Sequence, residues 1–173
     1  MLKVGDKAPS FCNPNQDDVE ICLRDILGKW IILYFYPRDN TPGCTTQACD
    51  FTTALPQFDD MDAFIFGVSP DTTQKHRNFI EKKDLEISLL ADVDKTTCEA
   101  YKVWQLKKFM GRESMGVVRS TFIINPEGNI AAIWKKVSVR KKKKIAGETV
   151  ELLHVDEVKT KLNELITSYQ GNK

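Results

Sequence analysis

Apolar residues along the chain fall into two periods, and each predicts a different element. Trp30-Ile31-Ile32-Leu33-Tyr34-Phe35-Tyr36 is continuously apolar and stops at Pro37. A run without alternation suits a strand buried on both faces. Ala63 to Val68, Ile87 to Ala91 and Ser120 to Ile124 repeat this pattern more briefly. Asn125-Pro126-Glu127-Gly128 then places Pro and Gly where a type I turn takes them, so Asn129 to Trp134 pairs back as a fifth strand. Before these, Ile21 to Leu23 is the best strand candidate in a turn-rich N-terminal segment.

Helical spacing fills the gaps. Ala48, Phe51, Leu55 and Phe58 form one face after Cys44, with Pro56 expected to bend that helix. Ser69-Pro70 reads as an N-cap and first helical residue, opening a helix through Lys83. Val93 to Val103 reads as a further helix, and Asp156 caps a last one with Val158, Leu162, Leu165, Ile166 and Tyr169 on its apolar face. Strands alternating with helices, then a hairpin and a helix, predict an α/β fold around a mixed sheet. No repeat or linker interrupts it, so residues 1–173 are expected to form one domain.

Composition changes this picture little. Hydrophobic residues are 42% and charged residues 28%, which excludes a disordered or fibrous chain. The longest apolar run is far short of the ~20 residues that span a bilayer, and no signal-like apolar stretch follows Met1. The expectation is a cytoplasmic protein with no membrane partner. Charge is less even. Lys135, Lys136, Arg140 and Lys141 to Lys144 carry seven of the cations, so removing them takes the net charge from +1 to −6. One basic segment on an acidic body argues against a nucleic-acid surface spread over the fold, and residues 135–147 are expected to form a solvated insertion or hairpin.

Five cysteines stand at 12, 22, 44, 49 and 98. An odd number with no CxxC fits neither a secreted disulfide framework nor a structural zinc site. A reactive thiol remains, and Cys44 is the place for one. Asp39-Asn40-Thr41-Pro42-Gly43-Cys44 joins the end of a buried strand to the start of a helix, where open α/β sheets put their sites. Pro42 and Gly43 are expected to turn the chain there. Unpaired N–H groups and the positive end of the helix dipole favour the thiolate. Thr41 offers a hydroxyl to the sulfur or to an incoming oxygen, or acts as the N-cap.

Cys49 follows by five residues. On an intact helix that is about 7.5 Å of rise and 140° of rotation, a Cα separation of ~8.6 Å. A disulfide needs about 4.4–6.8 Å, so these two thiols bond only if the helix unwinds. A thiolate that attacks a peroxide becomes a sulfenic acid, which condenses with a second thiol, and an external dithiol then reduces the disulfide. Neither metal nor cofactor is required.

Phe35-Tyr36-Pro37-Arg38-Asp39-Asn40-Thr41-Pro42-Gly43-Cys44-Thr45-Thr46-Gln47-Ala48-Cys49-Asp50-Phe51 closely resembles the active-site segment of peroxiredoxins. Pro37, Thr41 and Cys44 match that family's PxxxTxxC pattern, and the Cys44–Cys49 interval resembles its bacterioferritin comigratory protein (PrxQ) branch. Val4 to Pro9, Gly67 to Asp71 and Arg119 to Ile124 agree in order. The resemblance implies a thioredoxin-like fold with a central mixed β-sheet flanked by helices. It implies a thiol peroxidase acting on hydrogen peroxide and organic hydroperoxides, with Cys44 peroxidatic and Cys49 resolving, recycled by thioredoxin. Arg119 is carried over as the cation beside the peroxidatic sulfur, Pro37 as a wall limiting solvent, and the N–H groups of Gly43 and Cys44 as ligands of the peroxide oxygens.

Trp134 to Val155 departs from the family by its length and basicity. Cys12, Cys22 and Cys98 match no family role and are expected as small buried hydrophobes. Met110 and Met115 are candidates for pocket lining or for packing. A monomer is expected, since both redox cysteines lie in one chain. A general thiol–disulfide oxidoreductase is the alternative, although Cys44-Thr45-Thr46-Gln47 lacks its CxxC, and an anion-binding module would leave Thr41 to Cys49 unexplained.

Overall fold

The computed structural model describes residues 1–171. The chain opens with a short hairpin in which β1 (Cys12–Pro14) pairs antiparallel with β2 (Glu20–Cys22). This corrects the expectation for two cysteines. Cys12 is exposed, stands directly opposite Cys22, and forms a disulfide with it, their Cα atoms 4.0 Å apart. Counting cysteines could not reveal the bond because register, not number, brings the pair together. Cys98 does behave as a buried hydrophobe: burial, helped by Asp92, pushes its thiol pKa far up.

After a single 3-10 turn at Leu23–Asp25, the central run forms β3 (Trp30–Phe35), buried along its whole length. Then come α1 (Pro42–Asp60), β4 (Ala63–Ser69), α2 (Thr73–Lys83), β5 (Ser88–Ala91) and α3 (Thr96–Ala100). An exposed hairpin follows, β6 (Trp104–Phe109) with β7 (Arg112–Val117), then β8 (Ser120–Ile124) and β9 (Ile130–Trp134). The basic run lies on β10 (Arg140–Ile145), which pairs with β11 (Glu148–Leu153), and α4 (His154–Gly171) ends the described chain. Among the described residues no helix is long and apolar enough to cross a membrane.

The main sheet has the order β5-β4-β3-β8-β9, with β5, β4 and β3 parallel, β8 antiparallel to β3, and β9 antiparallel to β8. It is the thioredoxin-like mixed sheet. Because side chains alternate along a strand, β3 feeds two cores. Trp30, Ile32 and Tyr34 pack with Phe51 and Phe58 of α1 and Val158 and Leu162 of α4, while Ile31, Leu33 and Phe35 pack with Phe11, Tyr101 and Val117 on the opposite face.

Local details differ from the sequence reading for identifiable reasons. Thr72, not Ser69, caps α2, its Oγ1 accepting the Lys75 N–H at 3.2 Å; Ser69 ends β4 and donates to Asp71 instead. The helix expected over 93–103 shrinks to α3, because Lys95 and Lys102 at φ 66° and 61° interrupt it on both sides. α1 runs through Pro56 without ending. Met110 and Met115 are exposed at the β6–β7 hairpin, and Met115 lines a cavity with Leu2, Tyr101 and Phe122 that contains none of the candidate site residues.

Candidate active site

The loop from Pro37 to Thr41 leaves the C-terminal end of β3 and is fixed by a buried polar network. Asp39 is its centre: Tyr36 Oη donates to one carboxylate oxygen at 2.6 Å, and His76 Nδ1 meets the other at 2.6 Å. The backbone N–H of Asp39 donates to Asp71 Oδ2 at 2.8 Å, which also receives Ser69 Oγ at 2.7 Å. His76 Nε2 reaches the Leu90 carbonyl at 3.0 Å, so the network ties the ends of β3, β4 and β5 together. Burial and the Asp39 carboxylate push the Tyr36 hydroxyl pKa well up. Sequence reading missed this network. Its members are spread over 36–90, and parallel pairing of β3 with β4 and of β4 with β5 brings them together.

The turn into α1 is made at Asn40, whose φ of 62° suits Asn, and not by Pro42 and Gly43, which are already helical. Thr41 holds the N-cap position without a side-chain cap bond; its Oγ1 donates to the Arg38 carbonyl at 2.9 Å, leaving only acceptor capacity toward the site. The first helical backbone bond is Thr45 N–H to the Thr41 carbonyl at 2.8 Å. The N–H groups of Gly43 and Cys44 therefore lack intrahelical acceptors and are free to hold an anion. Pro37 is half-buried at the loop's start.

Cys44 lies in the first turn of α1, 2% exposed and with a free thiol. Its surroundings are not purely apolar. Arg119 Nη2 donates to its Sγ at 3.3 Å, and Nη1 donates to Gln47 Oε1 at 2.6 Å. Antiparallel pairing of Phe35 with Ser120 explains the meeting across 75 residues, since it brings Arg119 to the end of β3 where α1 begins. Gly43 serves the same approach: a Cβ there would stand 3.2 Å from Arg119 Nη2. Gln47, one turn after Cys44, was not visible as a site residue from the sequence.

Cys49 is half-buried on the same helix, and its thiol is free as well. Intact α1 keeps it from Cys44 by ~8.6 Å between Cα atoms, beyond disulfide reach. Asp50 beside it is buried and receives Arg140 of β10 at 2.6 and 3.2 Å. Tyr34 underlies the region, its hydroxyl buried without a hydrogen-bond partner among the described residues and close against Gly67. Burial, with the negative fields of Cys44 and Asp39, pushes that hydroxyl pKa well up.

A thiol under a guanidinium at a helix start, with a second thiol held in reserve, is the equipment of a cysteine-based peroxidase. Comparison with known proteins agrees. The chain belongs to the AhpC/TSA family, whose profile matches residues 4–133, and within it to the Bcp/PrxQ peroxiredoxins. It is 47% identical to peroxiredoxin Bcp of Bacillus subtilis over 139 residues, covering 80% of this chain and 88% of that one. It is 38% identical to peroxiredoxin Bcp of Escherichia coli, covering 77% and 85%. A cysteine-to-serine mutant of PrxQ from Xylella fastidiosa superposes with a TM-score of 0.81 at 32% identity, covering 95% of this chain and 97% of that structure. The bacterioferritin comigratory protein of Xanthomonas campestris, studied for alkyl peroxide reduction, superposes at 0.78 with 36% identity, covering 90% and 92%. The chain is thus a thiol peroxidase with a thioredoxin-like fold.

Proposed function

We propose that the chain reduces hydrogen peroxide and organic hydroperoxides with Cys44 as the peroxidatic thiol. The Cys44 thiolate attacks one peroxide oxygen, the O–O bond breaks, and the other oxygen leaves as an alcohol or water after taking a proton. Cys44 is left as a sulfenic acid. The Gly43 and Cys44 N–H groups hold the peroxide oxygens, Arg119 stabilises the charge, Thr41 Oγ1 accepts a hydrogen bond from the peroxide hydroxyl, whose proton stays on the sulfenic oxygen, and Pro37 limits solvent. Cys49 then attacks the Cys44 sulfur; the new S–S bond expels hydroxide, which leaves as water. A dithiol protein, thioredoxin in this reading, reduces the bond by exchange and is itself oxidised.

The observation that carries this reading is the Arg119 contact at 3.3 Å to a thiol in the first turn of a helix, where the backbone N–H groups lack intrahelical acceptors. Alkyl peroxide reduction by the Xanthomonas relative supports the organic substrates. We also propose that residues 1–173 act as one domain, as a monomer, in the cytoplasm, where thioredoxin-type reductants work. The Cys12–Cys22 bond favours a second location, an oxidising compartment. Cell fractionation separates the two.

The test is peroxide consumption coupled to thioredoxin and its reductase. Cys44→Ser is expected to abolish it, and Cys49→Ser to stop at sulfenic acid and lose turnover. Normal cycling by Cys49→Ser excludes Cys49 as the resolving thiol.

A further inference from the structure

The basic hairpin lies outside residues 4–133, the part matched by the family profile, yet one of its residues reaches the helix that carries both thiols. Arg140 grips Asp50 with two hydrogen bonds, Nη2 to Oδ1 at 2.6 Å and Nε to Oδ2 at 3.2 Å, while Nη1 reaches Glu151 of β11 at 3.0 Å. The Asp50 side chain is 8% exposed and that of Arg140 42% exposed. A bidentate pair with a nearly buried carboxylate is both directional and costly to break from one side. Asp50 is the residue next to Cys49.

Disulfide formation requires the start of α1 to unwind. Three anchors oppose this. Arg119 holds Cys44 and Gln47, Arg140 holds Asp50, and Thr52 Oγ1 accepts the Glu86 N–H at 3.3 Å. The Arg119 anchor weakens when the thiolate it pairs with becomes an uncharged sulfenic acid. Oxidation leaves the Asp50 anchor unchanged, and that anchor sits on the segment that has to move.

We propose that the Arg140–Asp50 pair is a clamp from the basic hairpin that holds Cys49 in helical register and so limits the rate at which it reaches oxidised Cys44. This rests on the assignment of Cys44 and Cys49 above. The clamp sets a partition. While Cys49 is held, the Cys44 sulfenic acid can meet a second peroxide, which passes it one oxygen and leaves as water or alcohol, giving sulfinic acid. Once Cys49 is released, the sulfenic acid condenses with it and loses water. Arg140 and Asp50 are positioning residues and touch no reacting atom.

The experiment uses the reduced full chain with Arg140→Met, Asp50→Asn and the double variant. Stopped-flow fluorescence separates the peroxide-dependent oxidation from the peroxide-independent resolution, and mass spectrometry measures sulfinic acid. Each single variant is expected to resolve about five- to tenfold faster, the scale of one partly exposed bidentate pair, with oxidation within about twofold. Sulfinic acid is expected to fall in step, the double variant to match the singles, and Arg140→Lys, which keeps one contact, to lie between. An unchanged resolution phase, a parallel change in both phases, or multiplying effects in the double variant overturns the clamp. Peptide mapping of the oxidised parent protein tells the two possible failures apart. If no Cys44–Cys49 bond forms, the thiol assignment fails and the clamp with it; if the bond forms and resolution stays flat, only the clamp fails.

Discussion

Arg119→Met keeps a long apolar stem and deletes the charge beside Cys44. At the observed 3.3 Å, a guanidinium and a thiolate attract by ~5 kcal/mol at an effective dielectric of 20. Lost hydration of both groups leaves a net of about 1.5–3 kcal/mol, the usual value of a hydrogen bond to a charged group. At about 1.4 kcal/mol per factor of ten, oxidation by hydrogen peroxide should slow by about 10- to 150-fold. The substitution also strips Gln47 Oε1 of its 2.6 Å donor, which loosens the first turns of α1. Arg119→Lys retains charge, but a single ammonium cannot serve both partners, so a loss of about three- to tenfold is expected. The assay is stopped-flow oxidation at pH 7 in a Cys49→Ser background, which isolates the first chemical step, with circular dichroism to verify the fold. A folded Arg119→Met protein oxidising within twofold of its parent refutes the role of the guanidinium.

Gly43→Ala puts a methyl 3.2 Å from Arg119 Nη2, and a shift of a few tenths of an ångström weakens the pairing by ~0.5 kcal/mol, about two- to threefold in oxidation rate. The same change should stabilise the helix by up to about 1 kcal/mol in urea melts, so an unchanged rate or a lower stability contradicts it. Tyr34→Phe removes a buried hydroxyl that has no partner among the described residues and should raise stability by about 1–3 kcal/mol, whereas a comparable loss would mean the hydroxyl is bonded. His154 has its pKa lowered by burial, against the pull of Glu157, and so takes up a proton more readily when unfolded. Its contribution is complete above the unfolded value of ~6.5 and is lost as pH falls through the lower folded value. His154→Gln should flatten the acid limb of a melting-temperature curve; an unaltered slope argues against it.

The buried elements were legible because burial writes itself into the sequence. β3 is apolar at every position, and the face of α1 follows helical spacing. Hairpin β6–β7 was not read as a strand pair, and β10–β11 was read only as a basic insertion or hairpin over 135–147 that stops short of β11, since their mostly exposed side chains carry no buried face to impose alternation. Cys44 stood out through its local setting, a strand end, a turn and a helix start within a few residues. Its partners did not. Arg119 comes from across the sheet and was named only through the family resemblance, and Arg140 reaches Asp50 across 90 residues through a hairpin that leaves no periodic trace. The Cys12–Cys22 bond was hidden for the same reason: pairing of two three-residue strands decides it.

Rapid mixing of the reduced protein with hydrogen peroxide, followed by trapping and peptide mapping, addresses the chemistry at Cys44 most directly. The expected result is a sulfenic acid on Cys44 within the first phase, converted in the second to a Cys44–Cys49 disulfide with Cys12–Cys22 left as it was. First-phase oxidation at any other cysteine, or full peroxide consumption by Cys44→Ser, would contradict it.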